Sequence, residues 1–105
     1  MVKHVILWQF KDELGENEKA QLALEIREQL EALRGVIPGL LKIRVQTEKL
    51  ESSNADFMLD CTLEDEAALK AYAVHPEHVA VAKRLILPNI KTRVCIDYEL
   101  SGDEN

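Results

Sequence analysis

The first ten residues of this chain constrain its fold more than any other segment does. They alternate in the manner of a β-strand, in which neighbouring side chains point to opposite faces. Ile6 and Trp8 stand on one side of the alternation. Val5 and Leu7 stand on the other, so both sides are apolar at their centres. The segment from Val2 to Phe10 therefore predicts a strand that is covered on both faces, which requires a layered fold.

The rest of the chain predicts helices and strands in regular order. That order is β-α-β-β-α-β, and Pro76 breaks the second helix. It is typical of an α+β fold of the ferredoxin-like kind, in which one antiparallel four-stranded sheet carries its helices on one face. After the first strand, the predicted elements are a helix over 16–34 closed by a glycine, strands over 41–46 and 55–63, a helix over 65–73, a helical segment over 76–87 and a strand over 92–100.

The second face of this sheet has no helix to cover it. By alternation, Val5 and Leu7 lie on that face, together with Val94, Ile96 and Tyr98. A contiguous apolar surface of this kind is unusual on a monomer and marks an interaction site. We therefore expect the chain to form a homodimer through this sheet face.

The composition predicts a single domain. With 105 residues, 47% of them hydrophobic, the chain can bury one core but is too short for two. We assign the domain to residues 1–100. The tail over 101–105 is short, polar and acidic, and we expect it to be disordered.

The net charge and the cysteines indicate which partners and which cellular compartment to expect. A net charge of −6 argues against nucleic acid and anionic membranes as partners, because both attract clustered Lys and Arg. The opening residues lack the pattern of a secretory signal, and no apolar stretch is long enough to span a bilayer. Cys61 and Cys95 lie in strand patterns without a C-x-x-C spacing. We expect a cytoplasmic protein with two reduced core thiols.

The segment from Tyr72 to His78 carries the residues best suited to chemistry. Pro76 fits the first turn of a helix and disfavours a helical conformation at His75. His78 then lies in the first turn of the new helix, where the helix dipole disfavours imidazolium. A histidine that stays neutral near neutral pH can act as a general base.

A metal site is not predicted. His75 and His78 are three residues apart, but His75 precedes the helix and no third ligand is evident beside them. We therefore predict neither a metal nor another cofactor.

Three segments together resemble the stress-responsive α/β-barrel (Dabb) family. They are the opening K-H-[apolar]-x-[apolar]-x-x-F-K pattern, the H-P-x-H motif that ends at His78, and the closing Asp97-Tyr98-Glu99. The resemblance extends over nearly the whole chain and makes residues 1–100 one Dabb domain. It implies a ferredoxin-like subunit that pairs its sheet with that of a twin subunit, giving a dimeric α/β barrel.

The resemblance also implies a pocket between sheet and helices. A plant polyketide cyclase of the family performs an aldol-type ring closure there, with a base that corresponds to His78 and a phenol that corresponds to Tyr72. Alternation places Asp97 on the same face as Cys95, where it could orient His78. The predicted catalytic residues are therefore His78, Tyr72 and Asp97. The predicted pocket lining is His4, Ile6, Trp8, Phe57, Leu59, His75, Val79 and Cys95.

Three functions remain open at this point, and the chain is not assigned as an enzyme. The first is a protein that binds or converts a small, partly apolar carbonyl compound, with His78 as the base. The second is a non-catalytic dimeric module of stress response, in which the histidines are structural and side chains such as Trp8 fill the pocket. The third is a cofactor-free monooxygenase. Fold-level analogy cannot choose among them.

Overall fold

Residues 1–100, which the computed structural model describes, form four strands and three α-helices. A π-helical segment and a short 3₁₀ turn follow the last helix. The predicted tail over 101–105 lies outside the described residues. In chain order the elements are β1 (Val2–Phe10), α1 (Glu16–Glu31), β2 (Leu40–Gln46), β3 (Phe57–Leu63), α2 (Glu66–Val74), α3 (Pro76–Val81), the π-helical segment (Ala82–Ile86), the 3₁₀ turn (Leu87–Asn89) and β4 (Ile90–Glu99).

The four strands form one antiparallel sheet in the order β2-β3-β1-β4. β1 lies in the interior of the sheet, hydrogen-bonded to β3 on one side and to β4 on the other. The ferredoxin-like α+β fold predicted from the order of the elements is thereby confirmed.

The core lies between one sheet face and the helices. Ile26 and Leu30 of α1 are at most 1% exposed, as are Leu59 and Leu63 of β3. Burial of each such side chain contributes about 1.5–3 kcal/mol to folding. Cys61 is a free buried thiol, as predicted. Cys95 was also predicted to be a core thiol, and that prediction is wrong. Cys95 is exposed, because no helix packs on β4.

The opposite sheet face is apolar and open, as the alternation predicted. Leu7, Val94, Ile96 and Tyr98 are 41%, 63%, 61% and 43% exposed. They lie on the two neighbouring strands β1 and β4, and Leu7 pairs directly with Val94. These four residues are called the open sheet face below.

Pro76 breaks the second helix where the sequence placed the break. It occupies the first position of α3, and the His75 side chain accepts a hydrogen bond from the backbone N–H of Glu77 at 3.1 Å. The predicted helix over 76–87 is not uniform. α3 ends at Val81, and the chain then forms the π-helical segment. No helix among residues 1–100 is long and apolar enough to cross a membrane.

Several predicted boundaries are wrong, including the start of the last strand, which is Ile90 rather than residue 92. The first helix ends at Glu31 rather than at residue 34, because a turn leading to Gly35 takes over. The third strand begins at Phe57 rather than at residue 55. In β2 a register shift follows Leu40, so that Leu40 enters the core and Leu41 lies only half-buried. A bulge of this kind reverses the face of the residues that follow it, which simple alternation cannot anticipate.

Two glycines provide a matched test of the packing around α2. Gly35 and Gly39 both have a positive φ, 84° and 83°. A Cβ on Gly39 would lie 2.6 Å from the Cβ of Ala68 in α2, whereas a Cβ on Gly35 would meet nothing within 4 Å. Gly39 is therefore needed for both its conformation and its lack of a side chain.

We expect Gly35→Ala to lower the free energy of unfolding by about 1–2 kcal/mol, the cost of a left-handed residue. Gly39→Ala should cost roughly 1–3 kcal/mol more, because it also overpacks the contact with Ala68. Urea denaturation of both variants measures the difference. Equal losses would show that α2 does not pack against Gly39 as described.

Candidate functional site

A cleft lies between α2 and the β1–β4 side of the sheet. Its volume is about 690 Å³, and its mouth is open to solvent. Half of the residues of β4 line it, because no helix packs on that strand. The lining residues are Val2, His4, Glu66, Leu69, Lys70, Ala73, Arg93, Cys95, Asp97, Tyr98 and Glu99.

An imidazole and a carboxylate pair at the floor of this cleft. His4 of β1 lies directly opposite Asp97 of β4 in the antiparallel register. Their side chains meet with His4 Nδ1 at 2.5 Å from Asp97 Oδ1. Cys95, two residues earlier on the same face, has its Sγ 3.7 Å from His4 Nδ1 and donates to Asp97 Oδ1 at 3.5 Å. The sheet thus brings an imidazole, a thiol and a carboxylate together at one point.

This pairing differs from the one predicted. Asp97 does share a face with Cys95, but its imidazole partner is His4 rather than His78. The reason is the register, since the cross-strand neighbour of Asp97 is fixed by how β1 and β4 align. The His4 side chain is only 9% exposed, whereas that of Asp97 is 44% exposed and reaches the cleft.

Tyr72 lies between the two imidazoles. Its ring is 4.3 Å from that of His78 and 5.9 Å from that of His4, measured between centroids. Tyr72 is 1% exposed, and its hydroxyl has no hydrogen-bond partner among the described residues. Burial is the main cause of its raised pKa, and the neighbouring Cys61 thiol adds to the effect.

His78 has a defined tautomer. Its Nδ1 lies 3.2 Å from the backbone carbonyl oxygen of Ala73, at the end of α2. A carbonyl oxygen can only accept, so Nδ1 carries the proton in the neutral ring and Nε2 holds the lone pair. The half-buried ring of His78 therefore has one nitrogen that can accept a proton.

The pKa of His78 is lowered from its ordinary value of 6.5. Burial is the largest cause. The Ala73 carbonyl opposes it, while electrostatic repulsion from His4, Arg93 and His75 acts in the same direction as burial. The direction agrees with the sequence prediction, but the cause is different. The prediction relied on a helix dipole, and α3 has only six residues.

His75 and Val79 were also predicted to line the pocket, and both lie outside the cleft, as do Tyr72 and His78. His75 caps α3 through its Nδ1, as described above, and does not line the cleft. Val79 lies half-buried in α3 and does not line the cleft either.

Four residues predicted to line the pocket lie in the hydrophobic core instead. Trp8 stacks on Phe57 with ring centroids 4.7 Å apart, and both are 3% exposed. Ile6 and Leu59 are 4% and 1% exposed. These side chains fill the space between sheet and helices, so the cleft is displaced toward β4. Of the predicted lining, His4 and Cys95 do face the cleft.

Two cations of the cleft, Lys70 and Arg93, were not predicted from the sequence. Arg93 stands two residues before Cys95 and therefore on the same face, so alternation along β4 could have identified it. Lys70 lies on α2, and its position depends on how that helix packs, which periodicity alone does not reveal.

Comparison with known proteins identifies relatives of the whole domain. The family described as the Stress responsive A/B Barrel Domain matches residues 2–100. A dimeric protein of unknown function with a ferredoxin-like fold from Bacteroides fragilis is 31% identical, with a TM-score of 0.88 over 94% of this chain and 95% of that one. No curated protein matches this chain.

Two further solved structures extend the comparison. A dimeric ferredoxin-like protein of unknown function from Thermobifida fusca is 25% identical, with a TM-score of 0.78 over 94% of this chain and 90% of that one. The hydroxynitrile lyase from Passiflora edulis is 15% identical, with a TM-score of 0.76 over 96% of this chain and 94% of that one. At that identity the likeness to the lyase concerns the fold alone.

The lowered pKa of His78 predicts a pH-dependent stability. As the pH falls through 6.5, the unfolded chain takes up a proton that folded His78 still excludes. The free energy of unfolding should therefore decrease from about pH 7.5 to 5.5, and less in His78→Gln than in the wild type. Urea denaturation across this range measures the difference. Parallel curves for the two proteins would contradict the assignment.

Proposed function

We infer the function of this chain from the premise that it belongs to the family of stress-responsive A/B barrel domains. The function its site supports best is a homodimeric protein that binds a small carbonyl compound in the cleft and removes a proton from it. His78 does not itself line the cleft; it borders the cleft through Ala73, a lining residue whose carbonyl it contacts. One observation carries this proposal. The contact between His78 Nδ1 and the Ala73 carbonyl leaves Nε2 as a proton acceptor in a ring whose pKa is lowered.

A base of this kind suits proton abstraction next to a carbonyl group. A neutral imidazole near pH 7 is already in the form that accepts a proton, and burial prevents its premature protonation. The ring is also held in place, since Tyr72 packs against one side of it and the Ala73 carbonyl fixes its edge. Fixed orientation reduces the entropy that must be lost on reaching the transition state.

The lining of the cleft supports a ligand with an apolar body and a polar oxygen. Leu69 and Ala73 provide apolar contact from α2, and Lys70 and Arg93 bring two cations to the walls. A cation beside a carbonyl oxygen stabilises the negative charge that develops when the neighbouring proton leaves.

The proposal assigns Tyr72 and Asp97 supporting roles. The buried Tyr72 ring separates and positions the imidazoles of His4 and His78, and its hydroxyl would reach a ligand oxygen only if the cleft opened toward it. Asp97 orients His4, whose other ring nitrogen is then free to meet a ligand.

A second copy of this chain is the proposed occupant of the open sheet face. Four large apolar side chains on neighbouring strands are uncovered there. The relatives from Bacteroides fragilis and Thermobifida fusca are described as dimeric, and both match more than nine-tenths of this chain. Burial of the face against itself would complete a barrel of two sheets.

A specific observation favours one alternative, a non-catalytic dimeric module. Trp8 and Phe57 pack the space beneath the sheet, and Tyr72 is sealed from solvent. In that case the cleft near β4 would bind no substrate, and His78 would only stabilise the junction of α2 and α3. Nothing in residues 1–100 favours the monooxygenase alternative.

Deuterium exchange at the carbon next to a carbonyl distinguishes the two candidates. Small ketones, aldehydes and acyl thioesters are first screened for thermal stabilisation of the protein, because a ligand of the native state raises its stability. The best compound is then incubated with protein in D₂O, and loss of its α-proton signal is followed by NMR. We expect His78→Ala to slow this exchange by about 10²- to 10⁴-fold.

His75→Asn is the matched control. Asparagine caps a helix well, so α3 should persist while a neighbouring imidazole is removed. This variant should exchange at the wild-type rate. Failure of every compound to stabilise the wild type, or equal exchange in wild type and His78→Ala, would refute the catalytic proposal and leave the structural module.

A further inference from the structure

We propose that His4, Cys95 and Asp97 form a binding site for one zinc-type divalent metal ion at the floor of the cleft. One ligand atom from each side chain, an imidazole nitrogen, a thiol sulfur and a carboxylate oxygen, lies within 4.8 Å of the other two. The site shares His4 and Asp97 with the cleft described above but does not include the proposed base His78, and metal binding does not depend on the catalytic function inferred above.

The sheet itself brings these ligands together. His4 and Asp97 are direct cross-strand partners in the β1–β4 ladder, and Cys95 stands two residues from Asp97 on the same face. All three Cα positions are therefore fixed by backbone hydrogen bonds of a four-stranded sheet rather than by a loop. Ligands on rigid elements need little reorganisation to bind an ion.

The distances fit a tetrahedral ion closely. With Zn–S near 2.3 Å and Zn–N and Zn–O near 2.1 Å, tetrahedral geometry places the sulfur about 3.6 Å from each of the other ligand atoms. Cys95 Sγ is 3.7 Å from His4 Nδ1 and 3.5 Å from Asp97 Oδ1. Two of the three edges of the ligand triangle thus already have the required length.

Only the third edge has to change. His4 Nδ1 and Asp97 Oδ1 are 2.5 Å apart, joined through the imidazole proton. Around a tetrahedral ion they would be about 3.4 Å apart, so that edge must open by roughly 1 Å. Loss of the bridging proton removes the bond that holds them closer, and the exposed Asp97 side chain has room to move.

The donor types and their charge favour zinc among common divalent ions. Nitrogen, sulfur and oxygen donors together exclude the hard ions Mg²⁺ and Ca²⁺, which take oxygen ligands. A thiolate, a carboxylate and a neutral imidazole carry a charge of −2, which balances the ion. Three protein ligands leave a fourth position for water or a substrate, and all three residues line the cleft.

A nucleophilic triad is the competing interpretation of the same three residues, and the geometry argues against it. In such a triad the nucleophile and the carboxylate contact opposite nitrogens of the imidazole. One nitrogen takes the proton of the nucleophile, and the other is held by the carboxylate. Here Cys95 and Asp97 both approach His4 Nδ1. The groups converge on one point in space, as ligands of an ion do.

Cobalt provides the direct test, because Co²⁺ occupies zinc sites and reports its ligands in its absorption. Co²⁺ is titrated into the 105-residue chain after treatment with a chelator and under reducing conditions. We expect a thiolate-to-cobalt charge-transfer band, together with intense visible bands typical of four-coordinate Co²⁺. One equivalent of Zn²⁺ should remove both.

The variants identify the ligands. Cys95→Ser should abolish the charge-transfer band, and Asp97→Asn should weaken Co²⁺ binding at least tenfold; both positions are exposed, so folding should persist. Cys61→Ala removes the other thiol, which is buried, and should keep the band. His78→Ala should also keep it, so that loss of the base and loss of the metal are told apart. Absence of the band in the wild type, or its persistence in Cys95→Ser, would overturn the proposal.

Discussion

The apolar character of β1 on both of its faces is the constraint on which the rest of the structure depends. A strand of this kind must lie inside a sheet with a layer on each side. Its residues Ile6 and Trp8 meet the helices and form the core, while Leu7 faces the other way and lies on the open sheet face. The helices cover only one of these faces. In a single chain the other face of β1 therefore remains uncovered.

The same strand determines the candidate site. β1 carries His4, and its register with β4 sets Asp97 and Cys95 against that imidazole. Because β4 is an edge strand without a helix over it, these polar groups face a cleft instead of the core. α2 closes the other side and brings the Tyr72 ring between the imidazoles of His4 and His78.

Local patterns predicted the elements and long-range packing determined the site. The alternation in β1 and the break at Pro76 depend on near neighbours in the sequence, and both predictions are confirmed. The partner of Asp97 depends on alignment across 93 residues, so sequence pattern could not assign it to His4. Trp8 was predicted to line a pocket because of a resemblance, but stacking on Phe57 buries it. Volume filling of this kind is a property of the whole core.

The oligomeric state of the chain tests this account most directly. Sedimentation velocity should find the wild type as a dimer and Ile96→Lys as a monomer, because a charge on the open sheet face cannot be buried against a second copy. Leu24→Lys is the control, since Leu24 is 51% exposed on α1, away from the sheet face, and the variant should remain dimeric. A monomeric wild type, or dissociation of both variants alike, would contradict the claim that β1 requires cover from a second chain.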